Sequence, residues 1–192
     1  MTRLTVLMGL RGSGKTTVGR LLAERLGTTT TATDLDDVTP TIVSLSTCAE
    51  VIEQQGWSRF RLAEAAALDQ CLNQHLGGNH DQRNDPSTAP PLAVLSLGGG
   101  TPTAPGAASM LTAARSNGAL LVYLHTSPEH AAPRVKSDTG DRPRLAGASE
   151  LEEARTLYAE RDPLYRSLAD HVIDTDELEP EEIRDEIAAL LR

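Results

Sequence analysis

At 192 residues, with 39% apolar and only 3% aromatic side chains, the chain has the length of one ordinary domain, and its core must be built mainly from Leu, Val, Ile and Ala. A formal charge of −9 excludes a general nucleic-acid binder, which needs a basic face to displace counterions from phosphates, and it makes any local gathering of arginines informative. Cys48 and Cys71 lack CxxC or Cys/His spacing, so no metal cluster is expected and a reducing, cytoplasmic setting follows.

Leu4 to Met8 is a short apolar run that reads as a first strand. Extended to Leu10 it is still too short for a signal-peptide core with flanks or for a membrane span. From Thr16 onward Val18, Leu21, Leu22 and Leu26 follow helical spacing until Gly27 stops it. Thr28 to Thr33 is rich in β-branched residues and predicts a second strand that delivers Asp34, Asp36 and Asp37 at its carboxyl tip. Ala49 to Leu76 reads as helical, and Gly77 to Pro91 is a polar surface loop.

Leu92 to Leu97 predicts a third strand closed by Gly98, Gly99 and Gly100, Ala119 to Leu124 a fourth, and Val172 with Ile173 a fifth. Pro180 to Arg192 predicts a closing amphipathic helix. Strands alternating with helices imply one α/β domain over residues 1–192: a mainly parallel sheet wrapped on both faces, with ligands at the carboxyl ends of its strands.

Gly9-Leu10-Arg11-Gly12-Ser13-Gly14-Lys15-Thr16 matches G-x-x-x-x-G-K-[ST] between a predicted strand and a predicted helix, the context this P-loop requires. In such a loop Gly12, Ser13, Gly14 and the first helical residues Thr16 and Thr17 turn backbone N–H groups onto phosphates. Lys15 bridges the outer phosphates, and Thr16 ligates Mg2+. The motif fixes nucleotide binding and leaves the acceptor open.

Beyond the loop, five segments follow in order: Asp34-Leu35-Asp36, Gly56-Trp57-Ser58-Arg59-Phe60-Arg61, Gly98-Gly99-Gly100, Arg142-Pro143-Arg144-Leu145 and Glu160-Arg161-Asp162-Pro163-Leu164-Tyr165-Arg166. Taken with the P-loop, the chain resembles the shikimate kinases over nearly its whole length. The resemblance implies a P-loop NTPase of the nucleoside-monophosphate-kinase-like type, a three-layer αβα fold with a five-stranded parallel sheet and a mobile lid. It implies phosphorylation of the 3-hydroxyl of shikimate by ATP with Mg2+; charge, hydropathy and cysteine usage add the expectation of a cytoplasmic protein that binds neither nucleic acid nor membrane, and a monomer is expected.

The resemblance also distributes roles. Arg61 and Arg166 are similar to the family's carboxylate-binding arginines, a task that suits a planar guanidinium. The glycines Gly98, Gly99 and Gly100 resemble the run that lets backbone approach the substrate, with Gly99 offering an N–H. Two registers are open for the family's D-x-D. Counted without gaps from Lys15 it falls on Ala32 and Asp34; with a two-residue insertion it becomes Asp34 near the metal and Asp36 on the substrate hydroxyls. Those acids alternatively cap the next helix. Ser96 is a candidate for orienting the metal's water shell, although a hydroxyl that ends a strand is more often structural. A lid over about 134–148 supplies Arg142 to the γ-phosphate, with Arg144 as competitor, and Arg134 packs on adenine. Two alternatives stand beside this reading: another small-molecule kinase of the same fold, such as a gluconate kinase, and a kinase-like module that binds nucleotide with weak catalysis.

Overall fold

Every residue of the first strand, β1 (Leu4–Met8), is buried, because side chains of alternating residues enter two different cores. Leu4, Val6 and Met8 join a large aliphatic cluster on one face of the sheet, while Leu7 joins a second cluster on the other. The computed structural model describes residues 2–76, 92–137 and 149–191. The loop expected over 77–91, and Arg142 and Arg144 of the expected lid, lie outside the described residues.

The remaining strands are β2 (Thr31–Asp34), β3 (Ala93–Ser96), β4 (Leu120–His125) and β5 (His171–Asp174). All pair in parallel, in the order β2-β3-β1-β4-β5. Helix α1 (Lys15–Leu26) covers one face, and its Val18 and Leu22 pack with Ile183 and Ile187 of the final helix, α7 (Pro180–Leu190). The opposite face carries α3 (Cys48–Leu76), α4 (Ala107–Ser116) and α6 (Glu150–Leu168), which contribute Leu68, Leu111 and Tyr165 to the larger core. This is the three-layer arrangement expected of strands that alternate with helices.

Two α-helices remain. The single turn α2 (Leu35–Val38) follows β2 directly, and α5 (Pro128–Ser137) follows β4. The first residues of the expected lid, Arg134 included, are therefore helical. Helix α3 is broken at Gly56, whose φ of 79° is in the region that glycine adopts without steric cost. The break lets Cys48, Val51 and Ile52 fold back on Phe60 as a separate small core beside the carboxyl ends of β2 and β3. Among the described residues no helix is long and apolar enough to cross a membrane.

Candidate active site

The order β2-β3-β1-β4-β5 reverses its direction of winding beside β1, and a parallel sheet opens a crevice at that point. A cleft of about 1160 Å3 lies there, lined by the P-loop, Asp34, Asp36, Leu97, Gly99, Arg134 and the segment from Thr175 to Pro180. The P-loop folds over itself. Ser13 N donates to Leu10 O at 3.2 Å, and the buried Lys15 Nζ donates to the same carbonyl at 2.7 Å and to Ser13 Oγ at 3.3 Å. Lys15 begins α1, so the loop's N–H groups and the helix's positive end face one place.

Across from this loop, Asp34 ends β2. Its Oδ2 accepts a hydrogen bond from Thr16 Oγ1 at 2.5 Å, and its Oδ1 accepts the Asp36 N–H at 3.0 Å, capping α2. The carboxylate that caps the helix therefore also accepts a hydrogen bond from the P-loop hydroxyl. Burial is the largest influence on Asp34 and raises its pKa above the ordinary 3.8. The Thr16 and Asp36 hydrogen bonds oppose that rise, the charge of Asp36 adds to it, and Lys15 opposes it. Ala32 pairs with Val94 in the middle of the strand ladder and is exposed, whereas Asp34 pairs with Ser96 at its end. Only the register with Asp34 and Asp36 puts two carboxylates at the tip. The pair Thr16 Oγ1 and Asp34 Oδ2 offers hard oxygen donors of the kind Mg2+ takes.

Asp36 faces the glycine turn after β3. A Cβ on Gly98 would lie 2.7 Å from Asp36 Oδ1 and 2.8 Å from Glu64 Oε1, and one on Gly99 would lie 2.9 Å from the backbone N of Arg11. One on Gly100 would collide with the Arg61 guanidinium. Charged side chains already occupy the space beside Gly98 and Gly100, and the P-loop backbone occupies that beside Gly99. Arg61 pairs with Glu64, which is fully buried and also accepts from Thr101 Oγ1 at 3.0 Å. The guanidinium stands 5.6 Å from the Trp57 ring and 5.5 Å from the Phe60 ring, so it is held on two aromatic faces.

The second expected carboxylate-binding arginine is not at this turn. Arg166 lies on the exposed side of α6, where Nε donates to both oxygens of Asp162 at 3.1 and 2.9 Å and the guanidinium covers Tyr123. Arg161 is there instead. Its Nη1 donates to Gly99 O at 2.8 Å, and Tyr165 OH, one turn further along α6, donates to the same carbonyl. Five residues along a helix turn a side chain by about 140°, so the two arginines of one short segment face different surroundings. Burial pushes the Tyr165 phenol up to about 12, keeping it a donor through the physiological range.

Ser96 takes a structural place. Its Oγ donates to Lys15 O at 3.0 Å and fills the space beside Gly19, fastening β3 to the start of α1 rather than facing the cleft. Arg134 lines the cleft and its Nη2 reaches Thr175 O at 3.5 Å. The Thr175 to Pro180 wall was not legible in the sequence. It is tied to the end of β4 by Thr126 Oγ1 with Thr175 Oγ1 at 2.5 Å and by Ser127 N to Asp176 Oδ1 at 3.0 Å. Glu64, Arg161 and Tyr165 were also missed as site residues, although the spacings Arg61-x-x-Glu64 and Arg161-x-x-x-Tyr165 each put a pair on one helix face.

Sheet, P-loop and a charged pocket beside it together define a P-loop phosphotransferase with a small-molecule acceptor. The sequence profile of the family described as shikimate kinase matches residues 11–80 and 84–192. Shikimate kinase 2 of Yersinia enterocolitica is 33% identical over 193 residues, spanning 100% of this chain and 97% of that protein. Shikimate kinase of Thiobacillus denitrificans is 37% identical over 169 residues, spanning 88% of this chain and 79% of that protein. Among solved structures, the shikimate kinase from Acinetobacter baumannii in complex with shikimate superposes with a TM-score of 0.79 at 28% identity, covering 100% of this chain and 93% of that one. A gluconokinase from Sinorhizobium meliloti shares the fold at a TM-score of 0.60 and 20% identity, covering 96% of this chain and 89% of that one. The chain belongs to the shikimate kinase family, and its activity is that family's, phosphoryl transfer from ATP to shikimate in aromatic amino acid biosynthesis.

Proposed function

We propose that the acceptor is the 3-hydroxyl of shikimate, that transfer needs Mg2+, and that the work is divided among residues of the P-loop, the β2 tip and the glycine turn. The observation that carries this is the pairing of two opposed environments across one cleft. Arg61 and Arg161 meet at the Gly99–Gly100 turn, and Asp34 and Asp36 stand at the β2 tip beside Thr16. A substrate with a carboxylate at one end and hydroxyls at the other spans such a site. Arg61 and Arg161 hold the carboxylate, Asp36 orients the hydroxyls, and Gly98, Gly99 and Gly100 let the ring approach the backbone.

Lys15 and the loop N–H groups of Gly12, Ser13, Gly14, Thr16 and Thr17 hold the phosphates, and Arg134 with the Thr175 wall receives the adenine. Thr16 and Asp34 would hold Mg2+, which supplies charge neutralisation on the outer phosphates. Phosphoryl transfer passes through a loose transition state, so Asp36 acts by aligning the hydroxyl as much as by taking its proton. Arg142 is assigned to the γ-phosphate by its place in the sequence. The cysteine usage, with Cys48 and Cys71 in no paired motif, supports a cytoplasmic setting.

A coupled ADP-release assay with MgATP, run with shikimate, with gluconate and with neither, tests the assignment. Shikimate alone is expected to stimulate release, and replacing Mg2+ by a chelator is expected to abolish it. Stimulation by gluconate, or none by either acid while ATP still binds, would move the assignment to another acceptor.

A further inference from the structure

We propose that Tyr165 is a positioning residue for the acceptor's carboxylate, acting by sharing the Gly99 carbonyl with Arg161. The inference rests on the reading of Arg161 as a carboxylate ligand and adds what aims it. Arg161 and Tyr165 are four apart on α6 and lie on one face, and both donate to Gly99 O. The tyrosine is fully buried, and its ring packs edge-on against Tyr123 at 5.1 Å, so its hydroxyl occupies one place.

Peptide planarity gives that anchoring a consequence. The described chain has no cis peptide bond, so fixing Gly99 O toward α6 fixes the Gly100 N–H in the opposite direction, away from α6. Gly100 is also the residue against the Arg61 guanidinium. One phenol therefore sets the peptide between the two arginines. It also satisfies one lone pair of the carbonyl, leaving the other to Arg161 Nη1.

Without the phenol, the carbonyl draws the guanidinium toward itself, and the glycine peptide is free to tilt. Tyr165→Phe keeps the ring and its packing and removes only this donor. The expected result in steady-state kinetics on the full chain is a rise of about 5- to 10-fold in KM for shikimate. KM for ATP and kcat should each stay within about 2-fold.

Arg161→Met and the double variant complete the test. If the tyrosine acts through the arginine and its carbonyl, Tyr165→Phe adds less than about 2-fold to the Arg161→Met defect. Full additivity, an unchanged shikimate KM in Tyr165→Phe, or equal rises in both KM values with a lowered Tm would overturn the proposal and leave Tyr165 as core packing. A defect in Arg161→Met beside an inert Tyr165→Phe defeats only the positioning role. An inert Arg161→Met defeats the carboxylate assignment itself, and the positioning role with it.

Discussion

Arg61 is held to Glu64 by more than the needs of a substrate, and replacing it with methionine separates folding from binding. Glu64 is fully buried, while the Arg61 side chain keeps 23% of its exposure. Breaking a buried ion pair from one side typically costs about 3–5 kcal/mol, because the remaining charge loses its compensation. The partly exposed guanidinium puts this case at the lower end, about 3 kcal/mol. In a domain of this size that lowers Tm by about 6–12 °C. Arg61→Met with Glu64→Gln removes both charges and should recover most of that loss. Shikimate binding should not return, since the cation is still missing. Thermal unfolding and the ADP-release assay, run on the same preparations, read the two effects apart. An Arg61→Met protein as stable as the parent, or a double variant no more stable than the single, would refute the idea that this pair is a structural element of the pocket.

Three further outcomes follow from the same geometry. Asp34 is raised by burial above its ordinary pKa of 3.8, so its stabilising protonated form is present below that value and lost as pH rises through the folded pKa. Asp34→Asn, which keeps a capping side chain, should therefore raise the Tm of the ligand-free protein at neutral pH while turnover falls by at least about 100-fold. Arg166→Met should leave shikimate KM within about 2-fold of the parent, because its guanidinium is committed to Asp162; a rise as large as that of Arg161→Met would restore Arg166 to the site. With Tyr165 raised to about 12 from 10.0, the unfolded chain ionises first on the alkaline side and stability falls between those values. At pH 11 this amounts to about 1 kcal/mol in denaturant titrations, a loss that Tyr165→Phe should lack.

The pocket sets local stability against function. Asp34 combines burial with a hydrogen bond from the P-loop hydroxyl, and the glycine turn is crowded by Asp36, Glu64 and Arg61 at its ends and by the P-loop backbone at Gly99. A site that collects anionic phosphates and an anionic acceptor has to hold cations near carboxylates. In an acidic chain those cations are confined to a few places.

Parts whose chemistry is local were readable along the chain. The P-loop is contiguous, so its glycines, lysine and hydroxyl declare their geometry in eight residues, Gly9 to Thr16. The five strands were legible as short apolar or β-branched runs, although β2 begins at Thr31, three residues into its threonine run, and their alternation with helices dictates a parallel sheet. The acidic tip of β2 was legible as chemistry but ambiguous by two residues. A gap in a threonine run leaves no periodic signal, and pairing with β3 decided that Asp34, beside Ser96, ends the strand.

The choice between Arg161 and Arg166 was made by packing. Both are five residues apart in one polar helix, and which of them meets the glycine turn depends on how α6 is rotated by the burial of Tyr165 and Leu168. The same holds for Glu64, whose burial depends on the turn folding over it, and for the Thr175 wall, which is held by contacts from the end of β4, 49 residues earlier in the chain. Spacing along a chain tells which side chains share a face. What that face looks upon is set by packing against elements far away in sequence.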